Sequence, residues 1–152
     1  MKDRITVAAA GPEDAEAVFR QAEELIRRYE DGKQIPLEEA LSWTRRKIQN
    51  KLHEYRVIRY KGETAGYFRF CREGEGMELD DLYILLPFQN RGIGSFIVDS
   101  CCRSTNLPVS LCVFRENTGA ARLYQRLGFR VTGTIGDNRY RMRRDGHGTK
   151  KG

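Results

Sequence analysis

The sequence predicts a single-domain α/β protein with a mixed (α+β) sheet, in the order βααβββαβαββ. Three observations predict it. Apolar residues recur either at helical spacing or in short β-branched and aromatic runs, and glycine or proline turns separate the two kinds of segment. One segment, Leu82 to Gly94, passes from an apolar strand through Pro87 and a turn at Gln89-Asn90-Arg91 into a helix entered at Gly92-Ile93-Gly94. The chain has 152 residues, enough for one full core, with 39% hydrophobic and 32% charged residues.

Ile5 to Ala8 reads as the first strand. Gly11-Pro12-Glu13-Asp14 opens a helix, because proline suits the first helical position and acids suit the positive end of the dipole. Ala15, Val18, Phe19, Ala22, Ile26 and Tyr29 form its apolar face, and Asp31-Gly32-Lys33 ends it. A second helix starts near Pro36, with Leu37, Leu41, Thr44 and Ile48 on one face. Trp43 lies off that stripe, where it either covers a substrate cleft or packs on the helix flank.

Tyr55 to Tyr60 and Thr64 to Cys71 are expected to form a hairpin around Lys61-Gly62. Glu73-Gly74-Glu75-Gly76 turns the chain into a third strand, Met77 to Leu86. After the central turn, Ile93, Phe96, Ile97, Ser100 and Cys101 mark a helix face that stops at Asn106-Leu107-Pro108. Val109 to Phe114 is an apolar strand expected inside the sheet. Thr118 to Leu127 is a helix stopped by Gly128. Phe129 to Ile135 and Arg139 to Arg143 close the fold as an antiparallel pair around Gly136-Asp137-Asn138, giving a domain over 1–143 and a flexible basic tail over 144–152.

Composition narrows the function classes. No apolar run approaches the roughly 18 residues of a membrane span. Met1 to Thr6 lacks the apolar stretch of a signal peptide, so a cytoplasmic protein is expected. The net charge is +6, but residues 139–152 hold six basic groups against Asp145, a net of +5. A nucleic-acid surface would need its basic face on the body of the fold, so such a partner is not expected and that reading rests on the tail alone. Cys71, Cys101, Cys102 and Cys112 show no C-x-x-C spacing, and His53 and His147 complete no zinc set. Buried, reduced thiols are expected, and no metal.

A strand that feeds a glycine-bearing turn and then a helix presents free N–H groups to an anion, usually a phosphate. Gly92 and Gly94 remove the Cβ atoms that would hold the phosphate off the backbone. A P-loop is excluded because Gly94 is followed by Ser95-Phe96 in place of Lys-Ser/Thr, and a dinucleotide fingerprint because Ile97 holds the third glycine's place.

Gln89-Asn90-Arg91-Gly92-Ile93-Gly94 resembles the Gln/Arg-x-x-Gly-x-Gly/Ala turn of the GNAT N-acetyltransferase family. Leu111-x-Val113-x-x-x-Asn117-x-x-Ala120-x-x-Leu123-Tyr124-x-x-x-Gly128-Phe129 resembles that family's following strand-to-helix segment. Both motifs occur in the family's order, as do the elements around them, and the resemblance covers nearly the whole chain. It is weakest in the first two helices, which in this family shape the acceptor site.

The resemblance implies transfer of an acetyl group from acetyl-CoA to an amine. It assigns the pantetheine arm to the backbone of Ile84, Leu85 and Leu86. The pyrophosphate falls to Gln89, Asn90, Arg91, Gly92, Ile93, Gly94 and Ser95, with Arg91 adding a cation. Asn117 and Ala120 are carried over as CoA contacts, and Tyr124 as the general acid for the departing thiolate.

An ammonium acceptor must lose a proton before it attacks, which calls for a carboxylate. Glu78, Asp80 and Asp81 are the candidates. Glu78 and Asp80 share a face and Asp81 the other if the strand is regular; a bulge would change this. Glu78, 14 positions before Gly92, matches the offset of the base glutamate in the histone-acetylating members. The acids between Glu73 and Asp81 favour a cationic small molecule or peptide amine. A non-catalytic acyl-CoA-binding or sensing module is the alternative, and monomer and homodimer both stay open.

Overall fold

A computed structural model describes residues 4–33 and 35–146 of the chain. Its elements run β1 (Ile5–Ala9), α1 (Ala15–Tyr29), α2 (Leu37–Lys51), β2 (Tyr55–Tyr60), β3 (Glu63–Glu73), β4 (Gly76–Ile84), α3 (Ile93–Arg103), β5 (Val109–Phe114), α4 (Thr118–Arg126), β6 (Arg130–Ile135) and β7 (Arg139–Arg144). The order is the expected βααβββαβαββ. The strands hydrogen-bond in the order β1-β2-β3-β4-β5-β7-β6. β4 and β5 are parallel, while β2 is antiparallel to β1 and β3, and β7 to β5 and β6. The sheet is therefore mixed. The tail expected from 144 starts inside β7, and residues 147–152 lie outside the described residues.

The chain groups into two compact units, Met1–Arg69 with Asp81–Phe88, and Phe70–Asp80 with Gln89–Gly152. In the first, α1 buries Val18, Phe19, Ala22 and Ile26, and α2 buries Ala40, Leu41 and Ile48, in one cluster with Tyr55, Val57, Tyr67 and Tyr83. Each large apolar side chain so buried stabilises the fold by about 1.5–3 kcal/mol. The Arg45 guanidinium of α2 lies 3.9 Å from the Phe19 ring centroid and its Nη1 2.9 Å from Glu16 Oε1, joining the two helices. Trp43 is 66% exposed, so most of its ring is uncovered. Gly66 of β3 is required by space, because a Cβ there would overlap the Tyr83 carbonyl of β4.

β4 ends at Ile84, two residues earlier than the sequence suggests. Pro87 has no N–H to give a ladder. A 3-10 turn over Leu86–Phe88 takes over, closed by Phe88 N donating to Leu85 O at 2.8 Å.

In the second unit β5 lies between β4 and β7 in the hydrogen-bonding order, as expected for an interior strand. Val109, Leu111 and Val113 are buried, while Ser110 and Phe114 are half-buried and Cys112 is exposed. One face of β5 is thus covered and the other is open. The thiols divide accordingly: Cys101 and Cys102 are buried, Cys71 is half-buried and Cys112 is exposed, so the expectation of buried thiols fails for Cys112. Its position on the open face of a strand with period two is the reason.

Candidate active site

The turn before α3 combines two left-handed residues. Asn90 has φ 62 and Gly92 φ 82, with Arg91 between them. Asparagine is among the few side chains that accept this region, and glycine accepts it without strain. The turn delivers the chain into α3 with no side-chain cap at Gly92. The first N–H to bond back is that of Phe96, to Gly92 O at 3.0 Å. The N–H groups of Ile93, Gly94 and Ser95 meet no acceptor among the described residues. Three unsatisfied donors at the positive end of a helix dipole can receive an anion. Gln89 and Arg91 are exposed at its edge.

The end of β4 carries the three residues expected at the pantetheine arm. Leu85 N donates to Ala65 O at 2.8 Å, so β3 holds this backbone just past the strand. Ile84 is the last strand residue, and Leu86 stands 79% exposed at the head of the 3-10 turn.

Tyr124 is held by the end of its own helix. Gly128 has φ 96, Gly128 N donates to Gln125 O at 3.1 Å, and Phe129 N donates to Tyr124 O at 3.0 Å. This double closure is a Schellman motif, in which the residue after the glycine packs on the residue five before it. The Tyr124 and Phe129 rings meet edge-on, with centroids 5.8 Å apart. The spacing Tyr124-x-x-x-Gly128-Phe129 thus has a mechanical cause: it clamps the phenol ring. The hydroxyl has no hydrogen-bond partner among the described residues. Burial pushes its pKa up to about 12, so it stays protonated at neutral pH. At the other end of α4, Asn117 Oδ1 accepts from Ala120 N at 3.3 Å. Asn117 is therefore a helix cap, which ties it to Ala120 in the same motif.

The three acids separate sharply. Asp81 has φ 55, so β4 is irregular there and the simple alternation of faces fails. Its carboxylate accepts from the Tyr55 hydroxyl and pairs with Lys47 Nζ at 3.0 Å. Burial alone would raise its pKa, but the Lys47 ammonium and hydrogen bonds from Tyr55, Lys47 and Tyr83 outweigh that and hold it below the ordinary carboxylate value. Such a group binds a proton weakly.

Glu78 is the opposite case. It sits opposite Ser110 in the β4–β5 ladder, with its side chain 16% exposed. Burial raises its pKa, and the Arg141 guanidinium, 3.2 Å from Oε1, only partly counters this. A half-buried carboxylate with a raised pKa binds a proton more readily than an ordinary glutamate does. Asp80, two residues on, is half-buried and near enough to Glu78 to oppose its ionisation.

Sequence reading missed Lys47, Tyr55 and Arg141 as members of these groups. Lys47 and Tyr55 carried no signal, since a lysine on a polar helix face and a tyrosine at a strand start are common. Arg141 carried a faint one, the period-two row Arg139, Arg141, Arg143 that puts three cations on one face of β7.

The mixed sheet leads from β4 through a left-handed turn to an open helix start, and the clamped Tyr124 lies two elements later. The chain belongs to the Acetyltransferase (GNAT) family, whose model matches residues 19–129. No curated protein sequence matches it significantly. Among solved structures, the PaiA N-acetyltransferase from Thermoplasma acidophilum in complex with coenzyme A is similar at TM-score 0.71 and 18% identity, over 93% of this chain and 98% of that one. An N-acetyltransferase from Staphylococcus aureus Mu50 is similar at TM-score 0.71 and 15% identity, over 91% and 99%. Arabidopsis thaliana Naa50 in complex with the bisubstrate analogue CoA-Ac-MVNAL is similar at TM-score 0.62 and 19% identity, over 93% and 99%. At these identities the likeness is one of fold. No helix among the described residues is long and apolar enough to cross a membrane.

Proposed function

We propose that the protein transfers the acetyl group of acetyl-CoA to a cationic amine, on a small molecule or a peptide, by direct attack in a ternary complex. The observation that carries this reading is that the N–H groups of Ile93, Gly94 and Ser95, which follow the left-handed Asn90 and Gly92, meet no acceptor among the described residues. They suit the CoA pyrophosphate, with Gln89 and Arg91 beside them. The pantetheine arm is assigned to the backbone of Ile84, Leu85 and Leu86, and Asn117 and Ala120 to the CoA contacts at the start of α4.

Glu78 is the base and takes a proton from the acceptor ammonium. The freed nitrogen attacks the thioester carbonyl and a C–N bond forms; the C–S bond breaks, and the nitrogen loses its second proton to solvent as the neutral amide forms. Tyr124 donates its phenolic proton to the departing sulfur and regains one from solvent. Of the other acids, Asp80 adds negative charge that attracts the cationic acceptor, while Asp81 is committed to Lys47, Tyr55 and Tyr83. Holding both reactants together supplies much of the rate.

A panel of polyamines, aminoglycosides, amino acids and peptides, incubated with acetyl-CoA and read by thiol release, tests the reading. Turnover with at least one amine supports it. Tight CoA binding with no turnover on any of them would instead support a non-catalytic acyl-CoA-sensing module.

A further inference from the structure

We infer that Arg141 is a positioning residue for the acetyl transfer: it orients the Glu78 carboxylate toward the acceptor's proton and speeds the return of that proton to solvent. The inference rests on the reading of Glu78 as the base.

The geometry is specific. In the ladders, Ser110 of β5 stands opposite Glu78, and Cys112 opposite Arg141 of β7. Arg141 therefore reaches diagonally over β5 to meet Glu78. Its Nη2 donates to Glu78 Oε1 at 3.2 Å, and its Nη1 lies 3.6 Å from Cys112 Sγ. Two tethers on one planar guanidinium orient the guanidinium itself, and so fix the direction from which Oε1 is held. Only Oε1 is engaged, and Oε2 has no hydrogen-bond partner among the described residues. That oxygen is the one left to receive a proton.

The exposures fit the second half of the role. Glu78 is 16% exposed in its side chain and Arg141 40%, so the carboxylate is shielded while the cation reaches water. Four groups face Glu78: Arg141 from β7, Cys112 from β5, Asp80 from its own strand and Glu73 from the end of β3. The Cys112 thiol, exposed on the open face of β5, is pushed up by partial desolvation against its neighbours and then by Glu78, and stays neutral at neutral pH. Asp80 and Glu73 oppose ionisation of Glu78, and Arg141 favours it. When Oε2 takes the acceptor's proton, Glu78 becomes neutral and Arg141 faces an uncompensated charge. That imbalance drives the proton off to solvent and restores the carboxylate. An ion pair that merely fastened β7 to β4 would require none of this.

The test compares wild type with Arg141→Gln, Arg141→Lys and Glu78→Gln. Three readouts are needed: thermal melts, the pH dependence of kcat/KM, and the titration of the Glu78 carboxyl followed by 13C NMR. In Arg141→Gln the NMR midpoint of Glu78 and the acidic limb of the rate profile should both move to higher pH. Arg141→Lys keeps the charge but loses the planar fork, so the midpoint should stay near wild type while kcat falls several-fold. A Glu78 midpoint in Arg141→Gln equal to wild type overturns the inference. So does an unmoved limb in that variant when Glu78→Gln still abolishes it. If Arg141→Gln melts below the assay temperature, Arg141→Lys decides alone, and a wild-type kcat there overturns the positioning role. If Glu78→Gln keeps both rate and limb, it is the base assignment that fails, and the NMR midpoint still reports what Arg141 does to Glu78.

Discussion

Lys47 Nζ stands 3.0 Å from Asp81 Oδ2, and this pair joins α2 to the one left-handed residue of β4. Aspartate is one of the few side chains that accept φ 55; most others would be strained there by roughly 1–2 kcal/mol. The conformation persists because the Asp81 side chain, held by Lys47, Tyr55 and Tyr83, over-determines it. The network lies three residues before Ile84, so it also sets the direction in which β4 delivers Ile84 to Leu86.

Asp81→Ala is expected to lose about 3–5 kcal/mol of stability, because it removes the carboxylate that Lys47, Tyr55 and Tyr83 hold and keeps the left-handed backbone. The pH dependence follows from the depressed pKa. The stabilisation is fully present above the ordinary value of 3.8 and disappears as pH falls through the lower folded value. Asp81→Asn, which tolerates the left-handed region, should destabilise less than alanine and should lack this acid-side loss. Urea melts of the three proteins at neutral pH and below 3.8 check both points. Equal stability of wild type and Asp81→Ala at neutral pH would remove the network from the account of β4.

Gly94→Val should weaken CoA binding strongly, since a branched side chain at the second residue of α3 intrudes on the open N–H groups. Gly92→Ala adds a second, separable effect. With φ 82 at Gly92, alanine should also cost about 1–2 kcal/mol of stability. Calorimetric titration with CoA, alongside thermal melts, separates the two. Unchanged CoA affinity in folded Gly94→Val would displace the pyrophosphate from this turn.

Tyr124→Phe keeps the ring contact with Phe129 and the Schellman closure, and deletes a hydroxyl without a hydrogen-bond partner among the described residues. Stability and CoA affinity should change little. The turnover number should fall at least about tenfold, within the range of about 10²–10⁴ typical of a lost general acid or somewhat below it. Because the phenol is pushed up to about 12, it does not titrate near neutrality, and any basic limb of the wild-type profile below pH 10 should persist in the variant. Single-turnover kinetics with chemistry rate-limiting is the measurement; a wild-type rate would take Tyr124 off the list of catalytic groups.

Glu78→Gln should lower kcat more than Asp80→Asn does, and should recover partly at high pH, where more acceptor is already neutral. Burial raises the Glu78 pKa, so the acidic limb of the wild-type profile should lie above the ordinary 4.5 of a glutamate. A larger loss in Asp80→Asn, with the limb intact in Glu78→Gln, would transfer the base role to Asp80.

The element order, the mixed sheet and the central turn were all legible in the sequence, because each rests on local chemistry. Glycine and proline punctuate the chain at Gly62, Gly74, Pro87, Pro108 and Gly128, and side-chain period separates helix from strand between them. The turn at Gln89 to Gly94 and the clamp at Tyr124 to Phe129 are likewise local, since every hydrogen bond in them spans at most five residues. The turn is read from its resemblance to the family's motif, and of the clamp only the Gly128 stop is read.

What only the tertiary structure decided is the state of the acids. Glu78, Asp80 and Asp81 are near neighbours in sequence and chemically alike; the offset from Gly92 favours Glu78 only through the family resemblance, and nothing local fixes their ionisation. Asp81 is held ionised by Lys47 and Tyr55, 34 and 26 residues away, while Glu78 is desolvated and faces Arg141, 63 residues away. The reason is physical: a carboxyl's proton affinity is set by burial and by charges within a few ångströms. Those neighbours arrive only when distant segments of the chain are brought together.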